Sequence, residues 1–282
     1  MLLSVIIPTI RGKELLKDSL PKLYEAIACA KIGKEQYEII IIDNAQDANT
    51  KAFVCGHYTN IVYTAPSHNL GFATSINLGI HLSTGQFILM LNDDCLVEPT
   101  TIKRMMEFLR NHPEIYFTQP IIIEGEKPII GYRTDLRIAK AFSIHKAETW
   151  KQEQGQQSND NPFKTHIALG LSATCLLARR EVFAKIGKFD ESFHSYLEDV
   201  EFCLRASLYG IAYFPTLAAT ATHLHMQTSK TMKSYKPWHD FINWMRIIAK
   251  HYPKTYVVKH CMLLGVERLR NAWGIVKQSF AV

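Results

Sequence analysis

Four short apolar runs, each stopped by polar residues, constrain the architecture of this chain. Leu2–Ile7 is closed by Pro8-Thr9, Tyr37–Ile42 by Asp43-Asn44, and Phe87–Leu91 by Asn92-Asp93-Asp94; Ile61–Thr64 runs into a loop. Each has the length of a strand, and near-continuous apolar character suits strands covered on both faces of a parallel sheet. Helical spacing fills the gaps. Glu14–Ala30 carries Leu15, Leu16, Leu20, Leu23 and Ile27, with Pro21 marking a kink or restart; residues 45–56 and Phe72–Leu82 follow the same rhythm. Strands alternating with such helices imply βαβ units and a mostly parallel, Rossmann-like central sheet flanked by helices. Right-handed crossovers bring the strand ends to one edge, which is where open α/β sheets bind ligands.

Downstream, Thr100–Asn111 reads as a helix, Tyr116–Ile123 as a strand, Arg180–Ile186 and Glu198–Tyr209 as helices, and Ala212–Phe214 as a short strand. Residues 124–165 turn to Gly, Lys, Gln, Ser and Asn and read as a long loop or lid with some added structure. Lys236–Val282 is basic and amphipathic, with Trp238, Trp244, Tyr252, Tyr256 and Trp273, and reads as a helical C-terminal extension.

Composition excludes several classes. With 47% hydrophobic and 21% charged residues, the chain can bury a core and is unlike a disordered one. Its six cysteines form no C-x-x-C pair and read as core thiols of a reducing compartment. No apolar run reaches the roughly 18–20 residues of a membrane span, and Met1–Pro8 lacks the pattern of a signal peptide. The expectation is a cytoplasmic protein. The net charge of +6 is not gathered into a nucleic-acid reader module, so no nucleic-acid partner is expected.

Polar clusters carry the candidate chemistry. Asp93 and Asp94, at a strand's C-terminal end, suit a hard cation such as Mg²⁺ or Mn²⁺ shared with a diphosphate; the plainer reading is a polar turn. Asp43-Asn44 can meet a ribose hydroxyl or a base edge, or simply cap a helix. Asn69 and Gly71 lie in a glycine loop opening a helix, which lets backbone approach a phosphate or sugar; its sequence is neither G-x-G-x-x-G nor a P-loop. Glu198 and Asp199 open a helix, either as acidic first-turn residues or with one of them a general base. Glu201 reads as structural. His223 or His225 could complete an octahedral Mn²⁺ site, and spacing does not choose between them.

Taken in order, these pieces resemble the family 2 inverting glycosyltransferases of GT-A fold, most closely the rhamnosyltransferase-like branch. The matching residues are Ser4–Thr9, Ile42–Ala45, Asn69–Ala73 with Asn77-Leu78-Gly79, Leu91–Asp94, Arg180–Phe183 with Ile186–Glu191, Glu198–Glu201, and His223 or His225 with Ser229. The resemblance implies a nucleotide-binding half over about 1–123, an acceptor half over about 124–229, and the extension at 230–282. It implies that Pro8, Thr9, Asp43 and Asn44 hold the nucleoside, with Asn69 and Gly71 near the nucleotide-sugar. Asp94 would bind the metal, Asp93 would support the sugar or ribose, and a histidine would join Asp94. Asp199 matches the catalytic base, with Glu198 its neighbour. Asn92 stands where the strict D-x-D motif has Asp, and no Q-x-x-R-W motif of processive synthases occurs.

The implied activity is metal-dependent transfer of one sugar from a UDP-, dTDP- or GDP-sugar to a glycan or lipid-linked acceptor, in bacterial surface polysaccharide synthesis. The basic tail would add a peripheral contact with the inner membrane face. A nucleotidyltransferase, or a silent nucleotide-sugar-binding protein, is the competing expectation.

Overall fold

The first strand is buried at every position, from Leu3 to Thr9, so its two faces must both be covered. In a computed structural model describing residues 1–156, 161–224 and 235–279, helices do this on either side of a sheet. The first stretch runs β1 (Leu3–Thr9), α1 (Lys13–Cys29), β2 (Tyr37–Asp43), α2 (Ala48–His57), β3 (Ile61–Thr64), α3 (Gly71–Leu82) and β4 (Phe87–Leu91). Next come β5 (Cys95–Val97), α4 (Thr101–Asn111), β6 (Ile115–Thr118), β7 (Pro120–Glu124), β8 (Lys127–Ile129), β9 (Gly131–Asp135), β10 (Lys140–Ile144) and α5 (Ala147–Gln156). The remainder comprises α6 (Pro162–Thr165), β11 (Ile167–Gly170), β12 (Cys175–Arg179), α7 (Glu181–Ile186), α8 (Glu198–Leu208), β13 (Ala212–Tyr213), β14 (Thr216–His223), α9 (Tyr235–His251) and α10 (Lys254–Ser279).

The central sheet has seven strands in the order β13-β6-β12-β4-β1-β2-β3. Strands β3, β2, β1 and β4 are mutually parallel, and only β12 opposes its neighbours β4 and β6. The period of two along each strand divides the core. Leu3, Val5, Ile39, Ile41 and Leu89 face α1 and α4, while Ile6, Ile40, Ile88 and Met90 face α3, α7 and α8. Both faces are therefore dry, and polar side chains collect at the strand ends.

Three expectations change. The helix α1 runs unbroken through Pro21. The single strand expected over Tyr116–Ile123 is two, β6 and β7, in different sheets. Gln119 lies between them, fully buried, with its amide donating to the Ile130 carbonyl at 3.1 Å. The stretch 124–165 is not a long loop. It builds β8, the β9–β10 hairpin, α5 and α6, and it buries Trp150 against Gly131 in the core. Its polar composition misleads because β10 and α5 each expose much of their surface.

The C-terminal helices pack onto the sheet layer instead of standing apart. Trp244, Ile247, Tyr252, Tyr256 and Leu264 join Leu136, Phe163, Phe193 and Leu204 in a third apolar cluster. A buried carboxylate, Glu201, pairs with Arg205 within α8 and links α8 to α9 through His251. Glu201 accepts from Arg205 Nε and Nη2, both at 2.8 Å, and lies 2.9 Å from His251 Nε2. Burial pushes the Glu201 carboxyl upward, but Arg205 and His251 outweigh it and hold it below its ordinary range. Removing one partner of such a pair strands the other charge. Glu201→Ala is expected to cost about 3–5 kcal/mol of stability in denaturant unfolding at neutral pH. A depressed carboxyl gives stability that is present above its unfolded value and lost as pH falls through the folded one. The gap between wild type and Glu201→Gln should therefore narrow below roughly pH 4.3.

Candidate active site

A cleft of about 540 Å³ opens where β1 and β4 end. Pro8, Thr9, Asn92 and Asp93 line it from the strand ends, and Asn69 and Gly71 from the start of α3. Glu198 and Asp199 reach it from the first turn of α8, and the turn Ser172–Thr174 joins them from between β11 and β12. The cleft thus gathers residues that lie far apart in the chain.

At its base, Thr9 Oγ1 donates to Asp93 Oδ2 at 2.5 Å and accepts from the Gly12 amide at 2.8 Å. Burial pushes the Asp93 carboxyl up; the Thr9 bond opposes this, the charge of Asp94 adds to it, and the group rests at about 7. Asn92 donates its backbone amide to the Thr174 carbonyl at 2.9 Å, tying this strand end to the turn beside it.

Asp94 meets His223 from the end of β14. His223 Nε2 lies 3.1 Å from Asp94 Oδ1, and its Nδ1 lies 3.0 Å from Glu124 Oε1. Burial alone would pull the imidazole down, but Asp94 and Glu124 outweigh it and push it up to about 10. The Leu224 amide donates to the Asp94 carbonyl at 3.0 Å, so backbone also fixes the approach. His225 and Ser229 lie outside the described residues. Among the described residues, no group of three or more His, Cys, Asp or Glu converges on one point. Asp94 and His223 nevertheless form a carboxylate–imidazole pair, and Mg²⁺ or Mn²⁺ commonly takes one or two protein ligands with the remaining positions left to phosphate oxygens and water. The donor set fits such an ion.

Asp43 is fully buried and is absent from the cleft lining. It accepts from Tyr63 OH at 2.5 Å and from the amides of Ala45 and Asp47, each at 2.9 Å. Its carboxylate organises the turn after β2 while its neighbour Asn44 lines the cleft. Asn44 Oδ1 accepts from the Leu70 amide at 3.0 Å, which draws the 67–71 loop onto β2.

The opening of α3 differs from expectation. Its first amides do not point at open space for a phosphate. Phe72 and Ala73 donate to the His194 carbonyl at 2.6 and 3.3 Å. Gly71 makes this approach possible: its φ is +74°, and an added Cβ would lie 2.5 Å from the His194 oxygen.

Asp199 sits one residue into α8. The Val200 amide donates to its Oδ1 at 2.8 Å and the Ala173 amide to its Oδ2 at 3.3 Å, so both oxygens are oriented by backbone. The chain enters α8 through His194, Tyr196 and Leu197, all at positive φ (40°, 69° and 64°). Such backbone is costly for non-glycine residues and needs outside support. Asn243 of α9 supplies it, donating to the carbonyls of Ser195 at 2.9 Å and Tyr196 at 2.7 Å.

Sequence reasoning missed Glu124, Asn243, Asp240 and the 172–174 turn. Glu124 had one readable signal, an acid just after an apolar strand. The others depend on contacts between distant segments.

A sequence profile described as glycosyl transferase family 2 matches residues 4–187. Rhamnosyltransferase WbbL of Escherichia coli K12 is 22% identical over 239 residues, covering 79% of this chain and 85% of the relative. The N-acetylglucosaminyl-diphospho-decaprenol L-rhamnosyltransferase of Mycobacterium tuberculosis is 21% identical over 257 residues, covering 84% and 79%. Among solved structures, the Pyrobaculum calidifontis mannosyltransferase PcManGT, in complex with GDP-Man and Mn²⁺, superposes with a TM-score of 0.64 at 12% identity, covering 99% of this chain and 73% of that one. Other solved neighbours are longer, and the chain spans 39% and 50% of two of them.

Gly71→Ala tests the seam between α3 and the His194 loop. Left-handed backbone alone costs a non-glycine residue about 1–2 kcal/mol, and the Cβ overlap with the His194 carbonyl adds to that. The variant should melt several degrees below wild type and lose turnover more than its stability loss explains.

Proposed function

The chain belongs to glycosyl transferase family 2, and we propose that it moves one sugar, with inversion, from a nucleotide-sugar to an acceptor hydroxyl. The observation that carries this reading is that Asp199, with both oxygens held by backbone amides, lines the same cleft as Asp93 and Thr9 at the strand ends. A base and a nucleotide platform in one cleft suit a single displacement.

In this reading Pro8, Thr9 and Asn44 hold the nucleoside, and Asp43 braces the turn that presents Asn44. Asn69 and Gly71 flank the nucleotide-sugar, and Asp93 supports the sugar or ribose. Asp94 and His223 would hold a divalent ion; when bound, it neutralises charge that builds on the departing diphosphate. Asp199 takes the acceptor proton as the acceptor oxygen bonds to the anomeric carbon and the bond to the diphosphate oxygen breaks. Glu198, nearly buried beside it, shapes the acceptor side. The complex of PcManGT with GDP-Man and Mn²⁺ supports a nucleotide-sugar donor and a divalent metal. Asp199→Asn should retain nucleotide-sugar binding in calorimetry while transfer falls by about 10²–10⁴-fold. Turnover near the wild-type rate would remove Asp199 from the role of base.

The acceptor in this reading is a polysaccharide precursor on a lipid carrier, the chemical class of the diphospho-decaprenol for which the mycobacterial relative is named. No helix of the described residues is long and apolar enough to cross a membrane. The segment α10, whose helical backbone breaks at His260, instead presents an apolar stripe of Val258 before the break and Met262 and Leu269 after it, at 73%, 81% and 71% exposure. Lys259 and Arg270 border that stripe, while the acidic Glu267 turns inward to Lys140. An apolar stripe with basic borders suits an anionic lipid surface; two copies packed on it would bring like charges together. The protein should co-sediment with vesicles containing anionic phosphatidylglycerol and not with pure phosphatidylcholine. Met262→Ser with Leu269→Ser should abolish that binding, and equal sedimentation of the variant would remove α10 as the contact.

A further inference from the structure

We propose that Glu124 is a positioning residue, whose carboxylate accepts from His223 Nδ1–H and so aims Nε2 at the place beside Asp94 where a cation would sit. The inference rests on the reading of Asp94 and His223 as the cation-binding pair.

The geometry comes from two strands. In the sheet β5-β14-β7-β8, β14 runs parallel to β7, with His223 in register with Glu124. On its other edge β14 pairs antiparallel with β5, with His223 in register with Cys95, the residue after Asp94. The imidazole therefore lies between two carboxylates delivered by two flanking strands. Its Nδ1 is 3.0 Å from Glu124 and its Nε2 is 3.1 Å from Asp94. His223 and Asp94 are largely buried, with side chains 10% and 13% exposed, and that of Glu124 is 28% exposed.

A neutral imidazole carries one proton and one lone pair, and the partner of one nitrogen decides the role of the other. A carboxylate at Nδ1 keeps the proton there and leaves Nε2 as the donor atom. Histidines that bind metals commonly hand their second ring N–H to a carboxylate, which fixes ring orientation and raises basicity. Glu124 occupies that position relative to His223. It acts through the ring and need not touch the ion or the donor sugar.

Mn²⁺ binding measured by the EPR signal of the free ion tests this, with UDP, GDP and dTDP each present in turn. Glu124→Ala should weaken Mn²⁺ binding by about 10–100-fold. Glu124→Gln keeps an oxygen that accepts from Nδ1–H and should recover most of the affinity. Glu124→Met, similar in length but without that oxygen, should behave like the alanine variant and repeats the test without a cavity. Thermal unfolding without metal reports on the fold separately. Equal Mn²⁺ affinity in wild type and all three variants overturns the positioning role while the cation reading stands. Equal loss in the glutamine and methionine variants also overturns it, since charge and not the hydrogen bond would then be at work. No Mn²⁺ uptake by wild type with any of the three nucleotides removes the cation reading and this inference together.

Discussion

The grip of α3 on the segment 189–194 holds the two sides of the cleft together. Asn77 donates to the Phe189 carbonyl at 2.8 Å and to Glu191 at 2.9 Å, and it accepts from the Phe189 amide at 3.0 Å. One turn earlier, the His194 carbonyl takes the opening amides of the same helix. Buried amide bonds of this kind contribute about 1 kcal/mol each when made and cost more when one partner is lost. Their larger effect is geometric. They connect a helix packed on β1 and β2 to the loop that leads into Asp199. The tight seat of α3 on the sheet needs Gly79, where an added Cβ would fall 2.3 Å from Ile6.

Electrostatics then shape the interior of the cleft. Asp93 and Asp94 are adjacent at the end of β4, and Glu124 of β7 lies across the His223 ring from Asp94. Partly buried carboxylates so placed favour whatever positive charge is near. Among the described residues, His223 pairs with Asp94 and Glu124, and Thr9 bonds to Asp93. Burial, with Asp94 adding to it, raises Asp93, and Asp94 and Glu124 raise His223; strongly shifted groups of this kind cluster at functional sites. On the opposite wall the demand is different. Backbone amides of Val200 and Ala173 orient the Asp199 carboxylate at a helix start.

The C-terminal helices contribute to this wall as well as to stability. Asn243 braces the left-handed backbone at Tyr196, and Asp240 of the same helix lines the cleft. The core continues across residue 229, because Trp244, Ile247 and Tyr256 pack against Phe163 and Phe193.

Much was legible in the residues themselves. Apolar runs such as Phe87–Leu91 dictate buried strands because a dry sheet tolerates nothing else, and polar residues must then gather at the ends. That reasoning placed Thr9, Asn44, Asp93 and Asp94 at the strand ends without coordinates. It fell short where composition and fold diverge: residues 124–165 read mostly as a loop, yet they build a hairpin and helices and their one tryptophan is core. It could not foresee that Asp43 would be consumed by Tyr63 and two amides, or that the His194 carbonyl would claim the N-terminus of α3. Nor could it see Glu124 beside His223. Local sequence determines which segments are strands and where their polar ends fall, since periodicity and burial act over a few residues. Which of those polar groups spend their hydrogen bonds on the protein was decided only by tertiary structure, because partners such as Tyr63, Leu70, Ala173 and His223 come from segments about twenty residues or more away.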